Sequence, residues 1–155
     1  MRPVRLYCGA ARNRLSTLTM TNVPNTLPPG AENISRGGFN RYAGPVWRLP
    51  AEGAIRRYGL VVAEKHMNGS GSLHGGVLMT FADIAMAQAS RVASGAQSCR
   101  TISLTCDFIG PGKLGDVIEA RVRVTRQTRT MIFLAADFSA GERVLGAASG
   151  LWKLV

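Results

Sequence analysis

The sequence predicts an α+β domain in which an antiparallel β-sheet wraps around one long central α-helix. Three observations lead there. From Gly75 to about Ser94 the chain has no proline, is rich in Ala and Met, and is apolar almost all round, as a helix wrapped by other elements must be. Four segments of period-two alternation follow it, joined by short turns. A length of 155 residues suits one domain with a real core.

Taken in order, residues 1–43 are expected to form an irregular N-terminal extension, and residues 44–155 the ordered domain. Positions 1–20 carry Arg2, Arg5, Arg12 and Arg14 without an acid, and lack the apolar run and small-residue cleavage site of a secretory signal. A disordered tail is the plainest reading. Residues 21–45 are crowded with Pro, Gly and Asn, which is linker chemistry. "YGLVVAEKHM" (58–67) reads as a strand ending at the turn-prone "NGSGS". The helix then spans about 18 to 20 residues, or ~27 to 30 Å, with Val77, Phe81, Ile84, Ala85, Gln88 and Val92 near helical spacing.

Beyond it Ile102, Leu104, Cys106 and Phe108 alternate with Thr101, Ser103, Thr105 and Asp107, a half-buried strand. "VIEARVRVT", "MIFLAADFS" and "VLGAASGLWKL" complete the set after "GPGKLGD" and "AGER" turns. Connections this short make the neighbours antiparallel.

Composition narrows the function. The net charge of +10 comes from 16 Arg and 3 Lys dispersed along the chain, with no basic tract and no aromatic-plus-basic motif, so nucleic acid is not expected as a partner. No charge-free apolar run reaches the ~20 residues of a membrane span. Cys8, Cys99 and Cys106 form no C-x-x-C, and with His66 and His74 they give no metal-ligand spacing. Reduced thiols in a cytoplasmic protein, with neither metal nor cofactor, are expected. No G-x-S-x-G elbow, P-loop or dinucleotide fingerprint is present.

Chemistry concentrates in "NGSGSLHGGVLMTFADIAMAQAS" (68–90), where Asp83 is the one acid among apolar and small residues. An unpartnered buried carboxylate is costly. No Lys or Arg stands three or four residues away, at Met79, Thr80, Met86 or Ala87. Asp83 therefore pairs with something distant, or faces a cavity where it serves as base or nucleophile. Gly75 and Gly76 open the helix, whose free N–H groups suit a carbonyl oxygen becoming negative; equally, they permit a tight turn. Asn68 and His74 stand beside that turn.

These residues, with "SLTCDFIGPGKLGD" after them, resemble the hotdog-fold acyl-CoA thioesterases of the PaaI-like group, in the 4-hydroxybenzoyl-CoA thioesterase superfamily. The resemblance runs from about Gly44 to Leu154. It rests on an Asn, a His-Gly-Gly six residues on, an Asp nine beyond the His, and the Pro-x-Lys-Leu-Gly turn. It implies hydrolysis of an acyl-CoA, by a homodimer or homotetramer with active sites at the subunit interface. Asp83 would be base or nucleophile and Gly75 N–H would polarise the thioester carbonyl. Asn68 and His74 would lie across the interface, and Thr101 would help position water. Gly76, Met79, Arg126 and Arg129 are candidates for substrate contact, the two arginines for CoA phosphates. A non-catalytic acyl-CoA-binding or sensing protein on the same fold is the alternative. A hotdog dehydratase lacks its signature here, and a basic scaffold without ligand is the plainest remaining reading.

Overall fold

A computed structural model describes Leu27 and residues 29–155; the arginine-rich opening positions lie outside the described residues. The elements are β1 (Glu32–Asn33), α1 (Gly38–Ala43), β2 (Val46–Glu52), β3 (Ile55–Val61), α2 (Gly75–Ser94), β4 (Cys99–Phe108), β5 (Val117–Gln127), β6 (Met131–Ala140) and β7 (Arg143–Leu154). All seven strands form one antiparallel sheet in the order β1-β2-β3-β5-β6-β7-β4. The sheet curls around α2, which is the hotdog arrangement.

The helix follows from its sequence at both ends. His74 caps the start through its side chain, and Gly95 ends it at φ 71, in the left-handed region that glycine enters without penalty. Between them Leu78, Phe81, Ala82, Ala85, Met86 and Ala89 are buried against the sheet. Phe81 meets Phe138 of β6 edge-on, with ring centroids 5.9 Å apart. Tyr58, Ile118, Ile132, Leu134 and Trp152 close the core from the strands. Each large apolar side chain so buried contributes about 1.5–3 kcal/mol.

Some expectations shift. The β2–β3 hairpin was not legible, because Pro50 and the charges around it spoil the alternation; Pro50 is exposed, beyond the two β2 residues that β1 covers. The strand expected over 58–67 is instead β3, ending at Val61, followed by a 3₁₀ turn over Glu64–His66. Residues 29–43, linker-like in composition, carry β1 and α1, and Ser35 Oγ accepts a hydrogen bond from Val46 N at 2.7 Å. Nor is α2 wrapped all round within one chain: Met79 and Val92 are exposed.

The two ends of the sheet differ. Across β2, β3 and β5, Arg57 and Arg121 bridge Glu52 and Glu119, and the hydrogen bonds from Arg57 hold the Glu119 carboxyl below its usual range. The outer edge of β4 pairs with no described strand, and Ile102, Phe108 and the following Ile109 are 55%, 57% and 62% exposed. No described helix is long and apolar enough to cross a membrane.

Candidate active site

The loop leading into α2 is built by its own polar side chains. Asn68 Oδ1 accepts from Ser70 N at 2.9 Å and Ser72 N at 3.1 Å, while Nδ2 donates to Ser72 Oγ at 3.0 Å. One amide hydrogen of Asn68 is left over. His74 N donates to His66 O at 2.9 Å, tying the loop to the 3₁₀ turn. His66 itself is buried, its Nδ1 accepting from Ala63 N and its Nε2 donating to Ala43 O. Burial lowers its pKa, so the ring is held neutral.

At the helix start, Gly76 N donates to His74 Nδ1 at 2.9 Å, so His74 carries its ring proton on the outward Nε2. A Cβ at position 76 would come within 3.0 Å of that Nδ1; glycine is what lets the cap close. Val77 N and Leu78 N turn back to His74 O. Among the described residues, the Gly75 N–H alone of this turn has no acceptor. The exposed ring of Phe108 lies beside Gly75, 3.2 Å from where a Cβ would stand.

Two turns along, half-buried Asp83 accepts a hydrogen bond on Oδ1 from Thr101 Oγ1 at 2.7 Å, and Oδ2 has no partner among the described residues. This contact depends on a defect in β4. Strict alternation from Leu104, Cys106 and Phe108 would send Thr101 to the other face. A bulge between Thr101 and Ser103 takes Ile102 out of register, and Thr101 pairs with the inward-facing Trp152. The strand therefore presents Cys99 and Thr101 to the helix on one side of the bulge and Leu104 and Cys106 on the other.

Asp83 opens on a cavity of about 180 Å³, lined in part by Asn40, Ala87, Gln88 and Cys99. That is smaller than the ~300–1,000 Å³ of typical ligand sites. Asn40 and Gln88 were not singled out by sequence: the first lies in the linker-like stretch, and the second was read only as a helix-spacing position. Gly75 and Asp83 are eight residues apart on one helix, about 12 Å along its axis. One carbonyl cannot meet both within a single chain.

Of the other candidates, Met79 is exposed on α2. Arg126 and Arg129 are exposed around the β5–β6 turn with no ion pair among the described residues; the Thr101–Trp152–Ile132–Gln127 pairing puts that turn three strands across, roughly 14 Å from Thr101. Among the described residues, no group of three or more His, Cys, Asp or Glu is placed to hold a metal ion.

Comparison with known proteins gives one consistent result. The profile of the thioesterase superfamily matches residues 70–147, from the loop into the first half of β7. A Pseudomonas aeruginosa protein provisionally named an esterase is 36% identical over 96 residues, 61% of this chain and 72% of that one. Human acyl-coenzyme A thioesterase 13 is 28% identical over 125 residues, 77% of this chain and 86% of the relative. The crystal structure of the Escherichia coli PaaI protein, from the phenylacetic acid degradation operon, superposes with a TM-score of 0.68 at 22% identity, covering 77% of this chain and 86% of its own.

Proposed function

The chain belongs to the thioesterase superfamily, and from that membership we propose that it hydrolyses acyl-CoA thioesters to a free acid and CoA, with Asp83 as base or nucleophile. The observation that carries the reading is the Asp83 carboxylate itself. Thr101 fixes one of its oxygens, the other has no partner among the described residues, and the residue lines a cavity. From there it either takes a proton from water as the water attacks the thioester carbon, or attacks that carbon itself, expels the CoA thiolate and leaves an anhydride for water to open.

The tetrahedral oxygen needs a donor, and the unpartnered Gly75 N–H, at the positive end of α2, is the group on the page that fits. Because Gly75 and Asp83 of one chain are about 12 Å apart, each site takes Gly75, with Asn68 and His74 behind it, from one copy and Asp83 with Thr101 from another. The free edge of β4 with its exposed Ile102 and Phe108 is the surface through which a homodimer would continue the sheet, alone or within a homotetramer. His74, as cap, holds the helix start that carries the Gly75 amide in place.

Thiol release from a panel of aryl-, short- and long-chain acyl-CoAs, with the wild type beside Asp83→Ala, tests the proposal. Turnover that falls by about 10³-fold or more in a folded Asp83→Ala supports it. Binding of acyl-CoA without release by either protein gives the fold to a sensing role instead.

A further inference from the structure

The cavity beside Asp83 is not closed. It shares Ile34, Asn40, Gln88 and Arg91 with a second recess that Arg36 and Arg48 also line. That recess shares Glu32, Arg48 and Val92 with a third, which reaches Tyr58 and Arg56. A groove therefore follows the C-terminal half of α2. Near Asp83 its walls mix the apolar Ile34, Ile84 and Ala87 with the polar Asn40, Gln88 and Ser98, and its far end is rich in arginine.

The far end has donors without acceptors. Tyr58 is wholly buried, yet among the described residues its hydroxyl has no hydrogen-bond partner, and neither has the buried Nε of Arg56. Arg48, Arg56 and Arg91 are all near enough to favour ionisation of that phenol, though burial outweighs them and holds its pKa well above the ordinary value. Among the described residues, Arg36, Arg56 and Arg91 have no carboxylate partner; Arg48 has Glu32, and Arg91 has only the amide of Gln88. Arg57, which also lines the recess, is engaged by Glu52 and Glu119.

We propose that this recess binds an oxyanion carried by the substrate, a carboxylate at the far end of the acyl group, so that the preferred thioesters are those of dicarboxylic acids. The inference rests on the reading of Asp83 as the thioester-cleaving group. Arg91 stands eight residues beyond Asp83, about 12 Å along the axis, with Ile84 and Ala87 between them on the same helix to contact the methylenes. Guanidinium and phenol donors together suit a carboxylate. CoA phosphates are a second source of the same chemistry, and inhibition by free CoA separates the two.

The test is a matched series of straight-chain acyl-CoAs and their ω-carboxylated counterparts, assayed on the full chain and on Tyr58→Phe and Arg91→Gln. Tyr58→Phe removes one hydroxyl from a ring that stays buried, and Arg91 is exposed, so both variants are expected to fold. The wild type should favour the ω-carboxylated thioester by at least about tenfold in kcat/KM, and both substitutions should bring the ratio toward one through KM. A wild-type ratio near one, or a ratio that both variants keep, overturns the proposal. Inhibition by free CoA should be equal in the wild type and Arg91→Gln; a Ki raised about tenfold assigns the recess to CoA and overturns the acyl assignment. If no thioester of either series is cleaved, the thioesterase reading fails on its own account, and calorimetric titration with suberate decides the recess. Heat of binding lost in Arg91→Gln upholds the anion site, and absence of binding to the wild type overturns it.

Discussion

The loop that starts α2 and the middle of the same helix both gather polar residues, but they use them differently. Asn68 engages both lone pairs of its carbonyl oxygen within its own loop, and His74 and Gly76 engage each other. Two turns away, Asp83 makes one hydrogen bond among the described residues and keeps an oxygen unengaged by them. The loop's side chains build a backbone shape whose product is a Gly75 N–H without an acceptor among the described residues, whereas at Asp83 the side chain itself is left available. What marks a group for chemistry is the bonding capacity left after folding, more than the residue type.

Four experiments sharpen or break that contrast. The largest effect is expected from Gly75→Pro, which deletes an N–H at the first helical position, where proline is tolerated. His74, before it, already has the extended backbone (φ −69, ψ 130) that a following proline requires, and the exposed Phe108 can give way. The kcat should fall about 10²–10³-fold with helical circular dichroism retained; unchanged turnover would remove Gly75 from the reaction. Next, Thr101→Val keeps shape and loses the donor to Asp83, for an expected drop of about tenfold in kcat and little change in melting temperature.

His74→Ala should act mainly on stability, costing about 1 kcal/mol in denaturant unfolding as the cap is lost. A fall in kcat beyond a few-fold would return His74 to the chemistry. The smallest effect is pH-dependent stability from His66. Its folded pKa is lowered by burial, so the unfolded chain binds the proton more readily. That contribution is complete above the ordinary histidine range near ~6.5 and is lost as the pH falls through it toward the folded value. Melting curves should therefore steepen in their decline below about pH 6.5 in the wild type and less so in His66→Gln.

Much of this was legible in the chain. The bounds of α2 follow from the absence of proline, the small-residue pair at its start and Gly95 at its end, all local signals. Asp83 declared itself as the one acid in an apolar run. Thr101 illustrates what periodicity misses: alternation turns it away from the helix, and one bulged residue, invisible in the pattern, turns it back. The β2–β3 hairpin was hidden by Pro50. The arginine recess was hidden because Arg36, Arg48, Arg56 and Arg91 come from four separate stretches that only the fold gathers.

Trp152 has a use that goes beyond packing. The chain holds two tryptophans, and this one is fully buried directly across the strand from Thr101, while Trp47 lies on β2, at the far side of the sheet. The protein thus carries its own fluorophore beside the Asp83–Thr101 pair. With Trp47 replaced by phenylalanine, its emission becomes a single-site optical record of what enters and leaves that pair, readable in real time and without a label.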